Sequence, residues 1–215
     1  MNEKDMEKLV SRLPAAPGIM GREEYFNPAI LIPLVMMSDG YHFLFEVRAE
    51  NIPQGGEVCF PGGRFNASYD SSLEDTAIRE TSEELGLSAD RIKILGCTDT
   101  FISAHLVAVN GFLGILNIAS LDEVRPDPME VQRVFTLPVD YFVKHRPEIY
   151  HAELCASPYS NEGELLFPAA ELGLPERYCQ PWGTRRYKIR VYRTDPVIWG
   201  ITARFIEEIA SILSK

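Results

Sequence analysis

Three glutamates at helical spacing are the residues of this sequence best placed to do chemistry. Glu80, Glu83 and Glu84 lie within IRETSEELGL, residues 78–87, and at 100° per residue they fall on one side of a helix. Like charges at these spacings repel and destabilise a helix. A hard divalent cation such as Mg²⁺ would neutralise them, because it binds carboxylates, keeps several waters and accepts substrate phosphates. Taken alone, the three glutamates are more typical of a solvated acidic face, paired with Arg79.

A double glycine upstream favours a ligand site over a solvated face. Gly62 and Gly63 follow Pro61 at the end of a short strand predicted near residues 57–60. Glycine can take positive φ and lets a backbone approach a ligand closely. A strand, a glycine loop and a helix edged with carboxylates form a compact arrangement for a metal-bound diphosphate.

The stretch GGRFNASYDSSLEDTAIRETSEELGL resembles the Nudix box, G-x5-E-x7-R-E-U-x-E-E-x-G-U with U apolar. The second half of the box matches at Arg79, Glu80, Glu83, Glu84, Gly86 and Leu87. The first half departs from the pattern, because the loop before Arg79 is two residues longer and Ser71 stands at the early glutamate position. Thr81 occupies an apolar position. Asp70 is expected to replace the early acid as the partner of Arg79.

The resemblance extends to one Nudix subgroup, the coenzyme A diphosphatases. The stretch FLFEVRAENIPQGGEVCFPGG is similar to that subgroup's upstream signature and includes Arg48, Gly62 and Gly63, which the resemblance marks as substrate-binding. The likeness covers most of residues 28–207. A second signature arginine would fall near Pro53 and is missing. The cations that could replace it, among which the sequence does not choose, are Lys93, Arg185, Arg186 and Lys188.

The resemblance implies a metal-dependent hydrolase. It would cleave the diphosphate of coenzyme A or its derivatives to 3′,5′-ADP and 4′-phosphopantetheine or its acyl form. Glu80 and Glu84 would hold Mg²⁺ or Mn²⁺, and Glu83 would bind a second ion or order its water. Arg79 would fix the glutamates by ion pairing. Glu83 and Glu130 are both candidates for the general base, the latter because Nudix enzymes often draw a late acid from a loop over the site.

Two other functions stay open. One is a Nudix hydrolase of another substrate, such as ADP-ribose, a dinucleotide or an oxidised nucleoside triphosphate. The other is an inactive Nudix-like binding module. Among further residues near the motifs, His105 is either close to the site or a hydrogen-bonded structural histidine. Trp182, Trp199 and Tyr192 could stack on an adenine, although packing is the expected role of each.

Composition excludes several function classes. The chain has 215 residues and a net charge of −10, which argues against a nucleic-acid groove built on bulk electrostatics. The longest apolar run, at residues 29–37, is far shorter than a membrane span. The N-terminus lacks an apolar segment of the secretory kind, and the four dispersed cysteines suit reduced thiols, so a cytoplasmic protein is expected. The oligomeric state is not fixed, and a homodimer is among the states allowed.

The predicted fold class is α+β, with a Nudix α/β/α sandwich around a mixed β-sheet. Residues 1–27 are expected to form an N-terminal helix and extension, and residues 28–215 a single domain that includes a C-terminal helix. The N-terminal helix should span about 2–13. Strands and helices are mixed without regular βαβ alternation, which disfavours a doubly wound sheet.

Several local features sharpen this expectation. A hairpin is predicted with Asp39 and Gly40 at its turn, and Pro33 suggests an edge position or a bulge for its first strand. A helix over residues 72–85 should end at Gly86. The C-terminal helix should begin at Asp195 as N-cap.

Overall fold

Strands and helices follow one another irregularly along residues 2–215, the part of the chain that this computed structural model describes. The α-helices are α1 Glu3–Ser11, α2 Leu73–Leu85, α3 Val139–Lys144 and α4 Gly200–Leu213. The strands are β1 Pro28–Met37, β2 Gly40–Arg48, β3 Val58–Cys59, β4 Gly62–Arg64, β5 Ile92–Cys97, β6 Phe101–Ile102, β7 Ala108–Leu116, β8 Val131–Pro138, β9 Glu148–Ala156, β10 Trp182–Tyr192 and β11 Ile198–Trp199.

The main sheet is mixed, as predicted. Its strand order is β3-β2-β1-β7-β5, with β4 paired to β1, β6 to β7 and β8 to β2. The β1–β7 pair is parallel, while β1–β2, β2–β8 and β5–β7 are antiparallel. A second, antiparallel sheet has the order β11-β10-β9. No helix in residues 2–215 is long and apolar enough to cross a membrane.

The main sheet buries a core on each face, which makes the predicted α/β/α sandwich. On β2, Phe43 and Phe45 belong to a cluster with α3 and α4 that includes Phe142 and Ile206. Leu44, between them in sequence, belongs to the cluster on the α2 side. Successive strand residues face opposite sides, so one strand supplies both layers. Helix α2 is therefore fixed against the face opposite α4.

The predicted position of Pro33 is wrong. Strand β1 lies inside the sheet between β2 and β7, and its register with β2 shows no bulge. Pro33 is tolerated because β1 exchanges antiparallel partners there, from β4 at residues 28–30 to β2 from Leu34 onward. The amide of Leu31 donates on the β4 side to Pro61 at 2.9 Å, so the absent Pro33 N–H would point to the same side, into the gap between the two partners.

Both terminal helices are present, with one corrected boundary. The helix predicted at about 2–13 is present as α1. It starts with a capping box in which Asn2 and Asp5 bond reciprocally. Helix α4 begins at Gly200 after Trp199, so the predicted start at Asp195 is wrong. Ile198 and Trp199 instead pair with β10 as a short strand, in keeping with the strand preference of β-branched and aromatic residues.

The hairpin and α2 match the sequence closely. The turn shifts by one residue, because Met37 pairs with Gly40 and leaves Ser38 and Asp39 as the turn. Helix α2 is capped by Ser72 and ends at Gly86, whose φ is +61°. That left-handed cap was expected of a glycine at this position.

Candidate active site

Two glycines bring the loop before α2 against the helix. Gly62 has φ +152°, and a Cβ there would lie 2.3 Å from the carbonyl oxygen of Ala29 on β1. At Gly63 a Cβ would lie 2.4 Å from the carboxyl carbon of Glu80. Real Cβ atoms do not approach other atoms so closely. Position 62 therefore requires glycine because the obstacle is backbone, whereas a side chain at position 63 would have to displace the flexible Glu80 carboxylate. The loop is thus held by β1 on one side and touches the α2 carboxylates on the other.

Glu84 is the buried carboxylate of α2. It is 6% exposed, and its Oε2 accepts a hydrogen bond from the Gly62 N–H at 2.8 Å. The pKa of Glu84 is raised to about 8, chiefly by burial and also by the charges of Glu130 and Glu80, while the Gly62 N–H and the charge of Arg48 oppose the rise. A bound divalent cation would stabilise the charged form of this side chain at neutral pH.

Arg79 connects the helix to the preceding loop. Its guanidinium binds Asp70 through two nitrogens, at 2.8 and 3.0 Å, and this confirms the predicted replacement of the early acid. The Arg79 hydrogen bonds are the main reason that the pKa of Asp70 lies well below its usual range. The same guanidinium contacts Glu80 at 2.9 Å and Glu83 at 3.0 Å.

The three helix glutamates point in different directions. Glu84 faces the Gly62 amide, Glu80 faces Gly63, and Glu83 extends into solvent against Arg79. Within residues 2–215, no group of three or more His, Cys, Asp or Glu side chains is already arranged around one point as metal ligands. The structure brings Glu80 and Glu84 to the glycine loop and leaves Glu83 on the outer side.

The carboxylates nonetheless fit a hard divalent cation. Burial raises the pKa of Glu80 as well as that of Glu84, and the charge of Glu80 adds to the rise at Glu84. A third buried carboxylate, Glu46 on β2, has an Oε1 without a hydrogen-bond partner. Clustered, partly desolvated oxygens of one sign are the donor set that Mg²⁺ or Mn²⁺ takes.

Glu46 was missed from the sequence. It is 1% exposed and lies on the α2 side of β2, because it alternates with Phe45 and Val47 of the opposite core. The sequence did contain an indication that Glu46 is buried. It is a single charged residue between Phe45 and Val47 in a strand that is otherwise mostly apolar. A glutamate at such a position is seldom buried unless it has a partner.

Glu130 lies in the turn that enters β8, and this turn packs on the end of α2. The Asp127 amide donates to the Glu84 carbonyl oxygen at 3.0 Å, and the Ala49 amide donates to the Glu130 carbonyl oxygen at 2.9 Å. The charge of Glu130 contributes to the raised pKa of Glu46, Glu80 and Glu84. The turn therefore sets this acid within electrostatic range of all three buried or half-buried carboxylates.

A cavity of about 610 Å³ adjoins the glycine loop. Its lining includes Gly62, Arg48, Lys188 and Trp199. The Arg48 Nε donates to the Pro53 carbonyl oxygen at 3.0 Å, so the segment where the second signature arginine would lie is folded back onto Arg48. This size is typical of small-molecule sites.

The histidine and aromatic candidates differ in whether they line the cavity. His105 lines the cavity and its Nε2 lies 3.3 Å from the Tyr187 hydroxyl. Tyr192 is a core residue against Phe142, and Trp182 packs on Tyr178, as the packing interpretation predicted. Among the three aromatic candidates for stacking, Trp199 is the one that lines the cavity.

A mixed-sheet sandwich with a glycine loop facing helical carboxylates defines the structural class of this protein. The model of the NUDIX domain family matches residues 26–152, more than half of the chain. The chain therefore belongs to the Nudix family.

Similar proteins carry related names. The peroxisomal coenzyme A diphosphatase NUDT7 of Mus musculus is 30% identical over 124 residues, which cover 57% of this chain and 50% of that protein. The mitochondrial coenzyme A diphosphatase NUDT8 of Homo sapiens is 26% identical over 191 residues, 87% of this chain and 70% of that protein. A solved C. elegans Ap4A hydrolase binary complex has a TM-score of 0.45 and 22% identity, covering 54% of this chain and 83% of that one. The chain spans about half the length of the first curated relatives it matches, 50% and 49%.

Proposed function

We propose that this protein is a metal-dependent Nudix hydrolase that cleaves the diphosphate of coenzyme A or its derivatives. The observation that carries the proposal is the contact of Glu80 and Glu84 with the Gly62–Gly63 loop, whose Gly62 also lines the cavity. The loop can approach a diphosphate closely because it has no side chains there. The cavity offers room for the organic groups on either side of that diphosphate.

Glu80 and Glu84 would hold Mg²⁺ or Mn²⁺, with Glu83 available for a second ion after release from Arg79. When bound, the ion would neutralise phosphate oxygens and lower the pKa of the attacking water. Glu130 is the candidate to accept the proton of that water. Arg79 acts by positioning, since its contacts to Asp70, Glu80 and Glu83 fix the helix and loop together.

Coenzyme A is the substrate that the combined features favour. The upstream stretch with Arg48 resembles the coenzyme A diphosphatase signature, and two similar proteins carry that name. Coenzyme A has a 3′-phosphate besides its diphosphate, so its site needs a second cationic contact away from the metal. Of the four cations considered as replacements for the missing arginine, Lys188 is the one that lines the cavity.

Lys188 is well suited to bind that phosphate. Two nearby arginines on β10 are already ion-paired. Arg186 pairs with Glu153 at 2.7 Å, and Arg190 pairs with Glu207. Lys188 has no ion-pair partner among the residues that the structure describes. An ammonium group free of carboxylates can bind a phosphate without first breaking an ion pair.

A substitution at Lys188 tests this assignment. Lys188→Ala should raise KM for coenzyme A roughly tenfold, the loss of one charge-assisted contact, and should leave KM for 3′-dephospho-coenzyme A nearly unchanged. Lys93→Ala is the matched control, because Lys93 is an exposed lysine on β5 outside the cavity. Equal effects of Lys188→Ala on both substrates would contradict the phosphate contact.

A further inference from the structure

We propose that Glu46 is a further carboxylate ligand of the divalent cation site, on the sheet side of Glu84. This inference rests on the proposed metal-dependent function, and it adds a residue from outside the Nudix box. The site would then draw on β2 as well as α2. A ligand on a strand would fix part of the coordination sphere more precisely than a ligand on a loop.

The position of Glu46 is difficult to explain by packing alone. Its carboxylate is buried, with 1% of the residue exposed, and Oε1 has no hydrogen-bond partner. Oε2 has only the Cys59 thiol at 3.9 Å, and a thiol is a weak donor. Buried carboxylates are normally paired or bound to a metal. Glu46 therefore has a carboxylate oxygen without a partner in a buried position, where an unpaired acceptor costs the most free energy.

The neighbouring cation does not supply the missing partner. Arg48 is two residues further along β2, but its Nε donates to the Pro53 carbonyl oxygen at 3.0 Å. The charge of Arg48 lowers the pKa of Glu46 by less than burial and Glu84 raise it. An opposite charge is thus present nearby without forming an ion pair with Glu46.

The surroundings of Glu46 point toward the box carboxylates. Glu46 pairs in register with Cys59 on β3, the strand that leads directly into the Gly62–Gly63 loop. On its other side it pairs with Val134 of β8, the strand that the Glu130 turn enters. Burial, and next the charge of Glu84, raises the pKa of Glu46 well above its usual range. Glu46 therefore lies between the two segments that approach Glu84 from the sheet.

Titration with Mn²⁺ alone tests this inference without any substrate. Glu46→Gln keeps the shape and removes the charge, and it should weaken Mn²⁺ binding at least about tenfold, measured by electron paramagnetic resonance of free Mn²⁺. The Mn²⁺-induced rise in Tm should shrink in parallel. Glu74→Gln is the control, because it removes one charge from the exposed start of α2. That variant should bind Mn²⁺ as the unaltered protein does.

A second substitution covers the case in which the amide variant fails to fold. Glu46→Met has a similar length and no acceptor, and it should show the same loss of Mn²⁺ affinity. If either folded variant binds Mn²⁺ as tightly as the unaltered protein, Glu46 is not a ligand and the inference is wrong. If the unaltered protein itself binds no Mn²⁺, the proposed metal-dependent function fails instead, so the two failures are distinguishable.

Discussion

At the scale of single residues, the Glu84 carboxylate combines burial with a single backbone hydrogen bond. The Gly62 N–H stabilises its charge at 2.8 Å, while burial and the charges of Glu130 and Glu80 oppose ionisation. A carboxylate in such surroundings either takes up a proton or binds a cation. The stability and the activity of the protein should therefore respond in opposite directions when this charge is removed.

Glu84→Gln separates these two effects. The amide oxygen can still accept from Gly62, but the charge that would hold the cation is lost. Turnover should fall by at least about 10²-fold, the scale of losing a metal-held catalytic charge. The Tm without metal should rise, because repulsion from Glu80 and Glu130 falls. Turnover near that of the unaltered protein would remove Glu84 from the site.

The stability of the metal-free protein should fall as pH rises toward neutral values. A carboxylate whose pKa is lowered in the folded state has the opposite effect. The folded-state pKa of Glu84, about 8, lies above its usual value of 4.5. At this group the folded protein binds more protons than the unfolded protein between these values, so the contribution of Glu84 to stability is full below about pH 4.5 and is lost as pH rises through about 8. Tm measured in EDTA should fall over this range. In Glu84→Gln the slope should be shallower, and an unchanged slope would assign the effect to other groups.

Glu130→Gln tests the general base. The turn holding Glu130 is bonded to α2 and to Ala49, which keeps the acid near the site. We expect kcat to fall by about 10²-fold with little change in Mn²⁺ affinity, the range typical of general-base loss. Glu83→Gln is the comparison, because Glu83 is the other candidate and is held by Arg79. A larger loss of kcat in Glu83→Gln than in Glu130→Gln would assign the base to Glu83.

Sequence reasoning was strongest where a residue's partner is near in the chain. Asp70 could be predicted as the partner of Arg79, because both belong to one loop–helix segment. For Glu46 the flanking apolar residues indicated burial, but its neighbours on β3 and β8 could not be predicted, since only strand pairing brings them beside it. A charged residue in a strand is compatible with either an exposed or a buried face until the sheet is known.

At the scale of elements, α2 and the glycine loop were predicted because local chemistry determines both. Ser72 and Gly86 cap α2 at each end, and the double glycine identifies the close approach. The start of α4 was wrong because Asp195 and Pro196 form a good helix-start signal, while pairing with β10 takes Ile198 and Trp199 into a strand. Tertiary pairing overrode the local preference there.

The contact between the glycine loop and α2 gives an element-scale prediction. Gly63→Ala places a Cβ against the Glu80 carboxylate, which is the far end of a flexible side chain and will move. The protein should fold, but Mn²⁺ affinity should fall roughly 10–100-fold because Glu80 is displaced. Gly96→Ala on β5 is the matched control, since a Cβ there meets nothing within 4 Å. Unaltered Mn²⁺ affinity in Gly63→Ala would show that this contact does not position Glu80.

At the scale of the whole molecule, the cavity depends on elements that are distant in sequence. Its lining includes Arg48 on β2, Gly62 in the glycine loop and Lys188 on β10, so both sheets contribute to the wall beside that loop. Strand β9, which pairs with β10, was not predicted because its residues are mostly exposed and lack apolar alternation. Lys188 could not be chosen over Lys93 from local patterns, since that choice requires knowing that β10 and the glycine loop line one cavity.

If Lys188 binds a 3′-phosphate as proposed, coenzyme A should be a better substrate than a nucleoside diphosphate derivative that lacks this phosphate. Coenzyme A and ADP-ribose both contain an adenosine diphosphate, but ADP-ribose has no 3′-phosphate. We therefore expect a clearly higher kcat/KM for coenzyme A with Mg²⁺ or Mn²⁺, and products with the masses of 3′,5′-ADP and 4′-phosphopantetheine. In water enriched in ¹⁸O, one product phosphate should gain the label. A clearly higher kcat/KM for ADP-ribose would contradict the coenzyme A assignment.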